Sequence, residues 1–506
     1  MPLSRDLLRL TDAVLLPGFA GHEPPAWVRR RLADGLAGVV LFSRNIAGPE
    51  QVARLTAALH AENPHALVGI DEETGEVTRL EAATGSSRPG GYALGAVDDL
   101  ALTEELARDL GLDLAAAGIG IDFAPSADVN SNPDNPVIGL RAFGADPELV
   151  ARHTRAFVRG LQSAGVAACA KHFPGHGDTS VDSHHGVPVV SDGDIEQALL
   201  PFRAAIAEGV RAVMTGHLLV PSYDPHLPAT LSPKVLTGLL REELGFDGMI
   251  ITDGIEMTAV SGPYGIGGAA ARAIAAGADA ICVGGESFDE ATAAGMRDAI
   301  AAAVTDGLLP EERLADAARR VRELALWATS GSTADPARSA AGTSHDGAGA
   351  GGGGVGLVAA RRALRVTRRS GSAPLPLSSA PHVVELAPET HLAIDKATPW
   401  GVAAPLSGLL PGTTATRFAA GEATGAAIED LLAGAIGRPL VIVVRDAHRH
   451  AWQAEALLHL LSARPDAVVV EMGLPHRADL GAVHIATYGA ARVCGQAAAE
   501  VLAGGL

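Results

Sequence analysis

Short apolar runs alternate with amphipathic segments from Ala13 to about Trp327. The runs are apolar at consecutive positions, which is typical of strands buried on both faces of a parallel sheet. Helix-like segments such as PELVARHTRAFVRGLQSAG and GDIEQALLPFRAAIAEG follow them. The repeat count and length favour an α/β fold, a (β/α)8 TIM-type barrel over residues 1–328, rather than an open sheet. The predicted strands are AGVVLF (37–42), ALVGID (66–71), IGIDFAPSADV (119–129), VAACAKHF (166–173), AVMTGHL (212–218), GMIITDG (248–254) and DAICVG (279–284).

The pattern changes after Trp327. Residues 329–355 are dominated by Gly, Ala and Ser, with almost no bulky apolar side chain, which predicts a flexible linker. Beyond it, VVELA (383–387), LVIVVRD (440–446), AVVVEMG (467–473) and VHIATYG (483–489) again alternate with helical segments. Residues 356–506 are therefore predicted to form a smaller C-terminal α/β sandwich domain.

Composition and charge exclude several classes of partner. The 506 residues carry a net charge of −19, so no broad positive field exists to attract nucleic acid or an anionic membrane surface. The first 16 residues mix Arg and Asp with apolar residues, unlike a signal peptide, and no apolar run approaches the roughly 18 residues of a membrane span. These features predict a soluble, cytoplasmic protein. The three cysteines lie far apart in apolar stretches and are predicted to be buried thiols.

Ionisable side chains stand where five of the predicted strands end. In a (β/α)8 barrel, the carboxyl ends of the strands surround the site, so these groups are expected to converge on one rim. Any one of them taken alone could equally be a satisfied structural polar group. The residues concerned are Asp71, Asp128, Lys171 with His172, His217 and Asp253.

The segment KHFPGHGDTSVDSHHGVPVV, residues 171–190, is the richest in polar chemistry. From Pro174 to Val187 its composition fits neither a helix nor a strand, which predicts a long functional loop. Asp182 and His184 lie two positions apart, a spacing at which a carboxylate can orient an imidazole for general acid or base catalysis. The same spacing also fits a turn hydrogen bond with no chemical role.

Two chemistries fit such a rim. Four histidines of this segment, His172, His176, His184 and His185, could ligate a metal such as zinc together with Asp residues. Alternatively, a carboxylate at a strand end could serve as the nucleophile of a glycoside hydrolase, with a second group as acid/base. Spacing alone leaves both open.

The segments KHFPGHGDTSVDSH, ITDGIEM, GIDEETGEVTRL and GLRAFGADP resemble glycoside hydrolase family 3, in particular its β-N-acetylglucosaminidase branch. The resemblance spans about residues 10–330. It implies a retaining exo-β-N-acetylglucosaminidase that acts on a small carbohydrate and needs no metal ion or other cofactor. Asp253, in the motif that also holds Met257, would be the nucleophile, and His184 with Asp182 would be the acid/base dyad. The substrate-binding positions of the branch fall on Asp71, Arg79, Arg141, Lys171 and His172.

The chain departs from the family pattern in two motifs. Glu72, Thr74 and Glu76 replace the Gln, Gly and Arg that are common in the first motif, and Leu140 and Ala142 flank Arg141 in place of Asp and Ser. Two other functions fit the same residues: a β-N-acetylglucosaminide phosphorylase and a catalytically silent sugar-binding protein. The C-terminal domain is expected to provide packing, assembly or aglycone contacts without taking part in proton transfer.

Overall fold

The structure is a computed structural model that describes residues 4–181, 186–190, 195–285, 287–331, 354–370, 375–389 and 393–505. The chain divides into two compact units. The first contains the described residues of Met1–Glu73, Leu100–Ile138 and Ala142–Ala350, and the second those of Thr74–Asp99, Gly139–Arg141 and Gly351–Leu506. None of the described helices combines the length and hydrophobicity needed to cross a bilayer.

The first unit is built on parallel strands, and every apolar run predicted there as a strand contains one. All pairings in its six-stranded sheet are parallel, as consecutive apolar positions predict, with Leu41 opposite Ile70 and Ile121 opposite Ala167. In the run 119–129, only two residues are in a strand, because Pro125 has no N–H to donate to a neighbour. The strands follow the spatial order Gly38–Leu41, Leu67–Ile70, Ile121–Asp122, Ala167–Phe173, Ala212–Thr215 and Met249–Thr252.

A second, two-stranded parallel sheet pairs Leu15–Pro17 with Ile281–Val283. The run Val14–Pro17 was too short to be predicted as a strand. An isolated parallel bridge joins Ile251 to Ala280, and one buried core contains side chains from both sheets and from the helix Glu311–Gly331. The prediction of an α/β fold on parallel strands is therefore confirmed.

Helices follow most of these strands and cover the sheet. Asp146 and Asp289 cap two of them by accepting hydrogen bonds from Glu148 N and Thr292 N, and Pro147 occupies the first turn of the former. A small antiparallel hairpin joins Leu219–Val220 to Asp224–Pro228. The helices are Arg5–Asp12, Ala26–Asp34, Pro49–Glu62, Leu100–Ala116, Pro147–Ser163, Ile195–Ala207, the π-helix Lys234–Glu243, Thr258–Ala276, Glu290–Thr305 and Glu311–Gly331, with 3-10 turns at Ser43–Asn45 and Ala229–Leu231.

The second unit contains a six-stranded sheet with helices on both faces. In Leu440–Val444, Val441 and Val443 face one apolar core, whereas Ile442 and Val444 face the other, which explains why this strand is apolar throughout. The spatial order is Arg365–Arg368, Val483–Ala486, Val468–Glu471, Leu440–Val444, His382–Leu386 and Thr414–Phe418, with Arg365–Arg368 alone antiparallel among these described strands. The helices are Val355–Ala363, Ala403–Leu409, Gly425–Gly434, Ala451–Ala463 and Arg492–Ala503.

Two short segments from the N-terminal half of the sequence belong to this second unit. They carry the helix Gly91–Val97 and the 3-10 turn Gly139–Arg141. Gly356 shows how closely the chain packs here, because a Cβ atom at this position would lie 2.0 Å from the carbonyl oxygen of Ser87. The helix Glu311–Gly331 extends into the predicted linker at 329–355, of which residues 332–353 lie outside the described residues.

Candidate active site

Lys171 is a buried cation near the carboxyl end of the strand Ala167–Phe173. Its Nζ atom lies 2.6 Å from Oδ1 of Asp71 and 2.6 Å from Oε1 of Glu73. The Lys171 side chain is 2% exposed, whereas that of Asp71 is 22% exposed. A buried ammonium group requires such partners, since removing an unpaired charge from water costs on the order of several kcal/mol. Lys171 and Asp71 therefore meet as predicted. The role of Glu73 was missed, although three consecutive acids after a buried strand were a signal for it.

His172 is oriented by the carboxylate of Asp128, which lies in the segment before the turn at 133–134. The Nδ1 atom of His172 lies 2.7 Å from Oδ2 of Asp128, and Oδ1 accepts from the backbone N–H of His176 at 2.7 Å. Burial alone would raise the pKa of Asp128, but the charge and hydrogen bonds of His172 and His176 hold this pKa below its ordinary value. Because the carboxylate can only accept, Nδ1 of His172 carries the hydrogen.

The first part of the loop after Phe173 is fixed by buried amide and hydroxyl groups. The Asn135 side-chain amide donates to the carbonyl of His176 at 2.8 Å and to that of Thr179 at 3.0 Å. The Thr179 hydroxyl lies 2.6 Å from Nδ1 of His176. Residues 174–181 and 186–187 contain no helix or strand, which confirms the predicted loop for its described part. Asp182 and His184, the predicted dyad, lie outside the described residues.

Asp253 follows the buried strand Met249–Thr252 and is partly exposed. Its carboxylate accepts from the N–H of Gly254 at 2.7 Å, and its own N–H donates to the carbonyl of Thr215 at 3.1 Å. His217 is fully buried nearby, with Nε2 3.0 Å from the carbonyl oxygen of Gly254. The carbonyl can only accept, so Nε2 of His217 donates to Gly254, the residue after Asp253.

The charges of Lys171, Asp71 and Asp253 all influence the pKa values of two buried cysteines. The pKa of the Cys169 thiol is raised chiefly by burial; the Lys171 charge opposes this rise, and the Asp71 and Asp253 carboxylates add to it. Burial also raises the pKa of the Cys282 thiol, and the same three charges contribute to this pKa. All three cysteines are free and buried, as predicted. Asp71, Lys171 and Asp253 thus lie at or near the carboxyl ends of three strands of one parallel sheet.

Asp122, which the sequence reasoning did not select, is a buried carboxyl group at the end of the strand Ile121–Asp122. Its Oδ1 atom accepts from the N–H of Glu72 at 2.9 Å. Burial raises the pKa of Asp122 well above its ordinary value, and the Glu72 and Asp71 charges reinforce the rise. The sequence did contain a signal for Asp122, because a carboxyl group within the apolar run at 119–129 is unusual.

Arg79 and Arg141 belong to the second unit. Arg79 is 8% exposed and donates from Nη1 to the carbonyl of Ala393 at 2.9 Å. Burial raises the pKa of Glu76, a residue of the same unit, and the charge of Arg141 opposes this rise. As for the metal alternative, no group of three or more His, Cys, Asp or Glu side chains suited to a metal ion occurs among the described residues.

Acidic, basic and imidazole side chains gathered at the carboxyl edge of a parallel sheet define an α/β enzyme. The sequence model of the glycosyl hydrolase family 3 N-terminal domain matches residues 22–324. The chain belongs to glycoside hydrolase family 3, as the sequence motifs predicted.

Individual relatives agree with this assignment. A beta-hexosaminidase of Stenotrophomonas maltophilia is 38% identical over 338 residues, which are 61% of this chain and 98% of that relative. A glycoside hydrolase family 3 beta-N-acetylglucosaminidase from a Paenibacillus species has 35% identity and a TM-score of 0.85, with 99% of this chain and 97% of that chain covered. The beta-N-acetylhexosaminidase of Beutenbergia cavernae, at 31% identity and a TM-score of 0.56, matches 63% of this chain.

Proposed function

We propose that this glycoside hydrolase is a retaining exo-β-N-acetylglucosaminidase that releases terminal β-linked N-acetylglucosamine. The observation that carries the proposal is the position of Asp253, a carboxylate that follows a buried strand of the same parallel sheet whose other strands carry Lys171 and precede Asp71. The similarity to a beta-hexosaminidase and to a beta-N-acetylglucosaminidase supports the choice of sugar.

In the proposed mechanism, the ionised carboxylate of Asp253 attacks the anomeric carbon and forms a glycosyl-enzyme. His184, protonated and oriented by Asp182, gives its proton to the departing oxygen, and then takes a proton from the attacking water. Two displacements return the β configuration. The Asp253 carboxylate also stabilises the positive charge that develops on the sugar ring.

The family resemblance assigns the sugar hydroxyls to five residues, all with polar groups able to make charge-assisted hydrogen bonds. Lys171 enters this role already paired with two carboxylates, so its ammonium group is fixed in position before a sugar binds. His172 is likewise fixed by Asp128. The five residues are Asp71, Arg79, Arg141, Lys171 and His172.

The fold proposed to support this chemistry is a closed (β/α)8 barrel. The two-stranded and six-stranded sheets share one core and are joined by the bridge at Ile251 and Ala280, which supports closure. The proposed domains along the sequence are a barrel at 1–328, a linker at 329–355 and an α/β domain at 356–506, with the segments 74–99 and 139–141 packed into the second unit.

The test is covalent labelling of the nucleophile. The purified chain is incubated with a 5-fluoro glycosyl inactivator of N-acetylglucosamine configuration and digested, and the modified peptide is sequenced by mass spectrometry. We expect the label on Asp253 and loss of labelling in Asp253→Asn. Asp224→Asn is the control, because Asp224 is another buried carboxylate of the same unit, bound to Ser232 and outside the candidate site.

A label outside residues 249–257 would refute the assignment of Asp253. Product analysis in buffer with and without phosphate tests the reaction itself. Free N-acetylglucosamine of retained configuration is expected in both buffers, whereas formation of the sugar phosphate would identify a phosphorylase.

A further inference from the structure

Glu76 is a buried carboxylate of the second unit. Its Oε1 atom accepts from the backbone N–H of Ala490 at 2.6 Å, and its Oε2 atom lies 3.4 Å from Nη2 of Arg445. Both side chains of this ion pair are 7% exposed. The contact joins the start of the segment 74–99 to the residues that follow two strands of the C-terminal sheet.

Arg445 is itself held in place. It follows the strand Leu440–Val444, and the side-chain amide of Gln453 binds its backbone on both sides. Gln453 Oε1 accepts from Arg445 N at 3.2 Å, and Gln453 Nε2 donates to Arg445 O at 2.9 Å. The buried positive charge therefore has a fixed position, and Glu76 is the carboxylate paired with it.

Two substrate-binding arginines of the proposed function belong to the same unit as this ion pair. Arg79 is three residues after Glu76, and its guanidinium donates to the carbonyl of Ala393 at 2.9 Å. Burial raises the pKa of Glu76, and the charges of Arg445 and Arg141 oppose this rise. The turn that carries Arg141 packs on Leu474, because a Cβ atom at Gly139 would lie 4.0 Å from a methyl carbon of Leu474.

We propose that Glu76 and Arg445 are positioning residues that hold Arg79 and Arg141 for sugar binding. This inference rests on the proposed function of the two arginines. Without the Glu76 charge, the buried Arg445 guanidinium would lack its carboxylate and would repel Arg141. A small displacement of a binding group is enough to weaken a charge-assisted hydrogen bond.

The test compares steady-state kinetics of the full chain and four variants on an aryl N-acetylglucosaminide, with binding of free N-acetylglucosamine measured by calorimetry. Glu76→Gln and Arg445→Gln should each raise KM and the sugar Kd by about tenfold, with a much smaller change in kcat. In the double variant neither charge is left unpaired, so its loss should be smaller than the product of the two single losses.

Glu500→Gln is the matched control. It breaks another ion pair of the same unit, in which Arg361 contacts Glu500 at 2.7 and 2.9 Å, and should leave KM and Kd unchanged. An equal increase of KM in Glu500→Gln would mean that the loss of any ion pair in this unit weakens binding, and it would overturn the proposal. Unchanged KM and Kd in Glu76→Gln would also overturn it. If Glu76→Gln fails to fold by circular dichroism, Arg445→Lys provides the milder test, with an expected intermediate increase of KM.

The wild-type chain separates this proposal from the proposed function. If the wild type hydrolyses the glycoside and the variants keep its KM and Kd, only the positioning role is refuted. A wild type that neither hydrolyses the glycoside nor binds N-acetylglucosamine would remove the function, and the positioning role with it.

Discussion

The imidazole of His172 and the carboxylate of Asp128 form a buried pair, with Nδ1 and Oδ2 2.7 Å apart. The second oxygen of Asp128 accepts from the N–H groups of His172 and His176. One carboxylate therefore fixes both a proposed sugar-binding side chain and the start of the loop that leads to Asp182 and His184. The geometry of the loop base and that of the sugar site depend on the same charge.

Asp128→Asn should lower the free energy of unfolding by about 2 kcal/mol at pH 7, because an amide cannot accept from all these donors. The pKa of Asp128 is lower in the folded chain than its ordinary value. A carboxyl group of this kind stabilises the fold above its ordinary pKa, and the stabilisation is lost as the pH falls through the folded value. The difference between wild type and variant should therefore shrink below about pH 4.

Urea unfolding at pH 7, 5 and 3.5 measures this difference. Asn135→Ala is the control, since it removes neutral hydrogen bonds of the same loop and should destabilise equally at each pH. A difference between wild type and Asp128→Asn that persists undiminished at pH 3.5 would contradict the charged role of Asp128.

His184→Ala should slow the hydrolysis of glycosides with poor leaving groups by about 10²–10⁴-fold, because these need a proton from the acid catalyst. A dinitrophenyl glycoside departs without that proton and should be affected far less. The rates of both substrates are compared with those of His185→Ala, the neighbouring histidine of the same loop. Equal losses on the two substrates in His184→Ala would count against general acid catalysis.

The sequence predicted the strands of the parallel sheet well because they are buried on both faces, as in AGVVLF and VAACAKHF. It missed Arg365–Arg368, whose exposed alternating side chains at the sheet edge carry no apolar signal, and Thr414–Phe418, where only Phe418 is buried. A local pattern of apolar residues reveals a strand only where its side chains are buried, and few side chains of these edge strands are buried.

The same reason explains which site residues were found. Asp71, Lys171 and Asp253 end predicted strands, so topology alone brings them to one edge. The pairing of Glu76 with Arg445 joins positions far apart in the sequence, and no local pattern specifies it. Likewise, the membership of Arg79 and Arg141 in the second unit depends on tertiary packing.

Glu471→Gln should reduce the pH dependence of stability. Burial, reinforced by the Asp446 charge, raises the pKa of Glu471 to about 8. Between the ordinary pKa and pH 8, the folded state keeps a proton that the unfolded state releases, so stability falls as pH rises, by at most about 1.4 kcal/mol per pH unit from this group. Unfolding midpoints from pH 5 to 8 should fall less steeply in the variant.

Gln453→Ala is the control for this measurement, because it removes a buried neutral side chain of the same unit. It should lower the midpoints without changing their slope with pH. Parallel slopes for the wild type and Glu471→Gln would show that Glu471 does not hold a proton in the folded state.

Thr74→Gly should stabilise the chain. Thr74 has a φ of +69°, a left-handed conformation that disfavours a β-branched residue, and its buried hydroxyl has no hydrogen-bond partner in the described structure. Relief of about 1–2 kcal/mol of backbone strain exceeds the entropic cost of about 0.5–1 kcal/mol for glycine. We expect the thermal unfolding midpoint to rise by about 2 °C. Thr74→Ala, which keeps a Cβ atom but loses the branch and the hydroxyl, should fall between wild type and Thr74→Gly. A lower midpoint for Thr74→Gly than for the wild type would mean that the packing of the Thr74 side chain outweighs the strain.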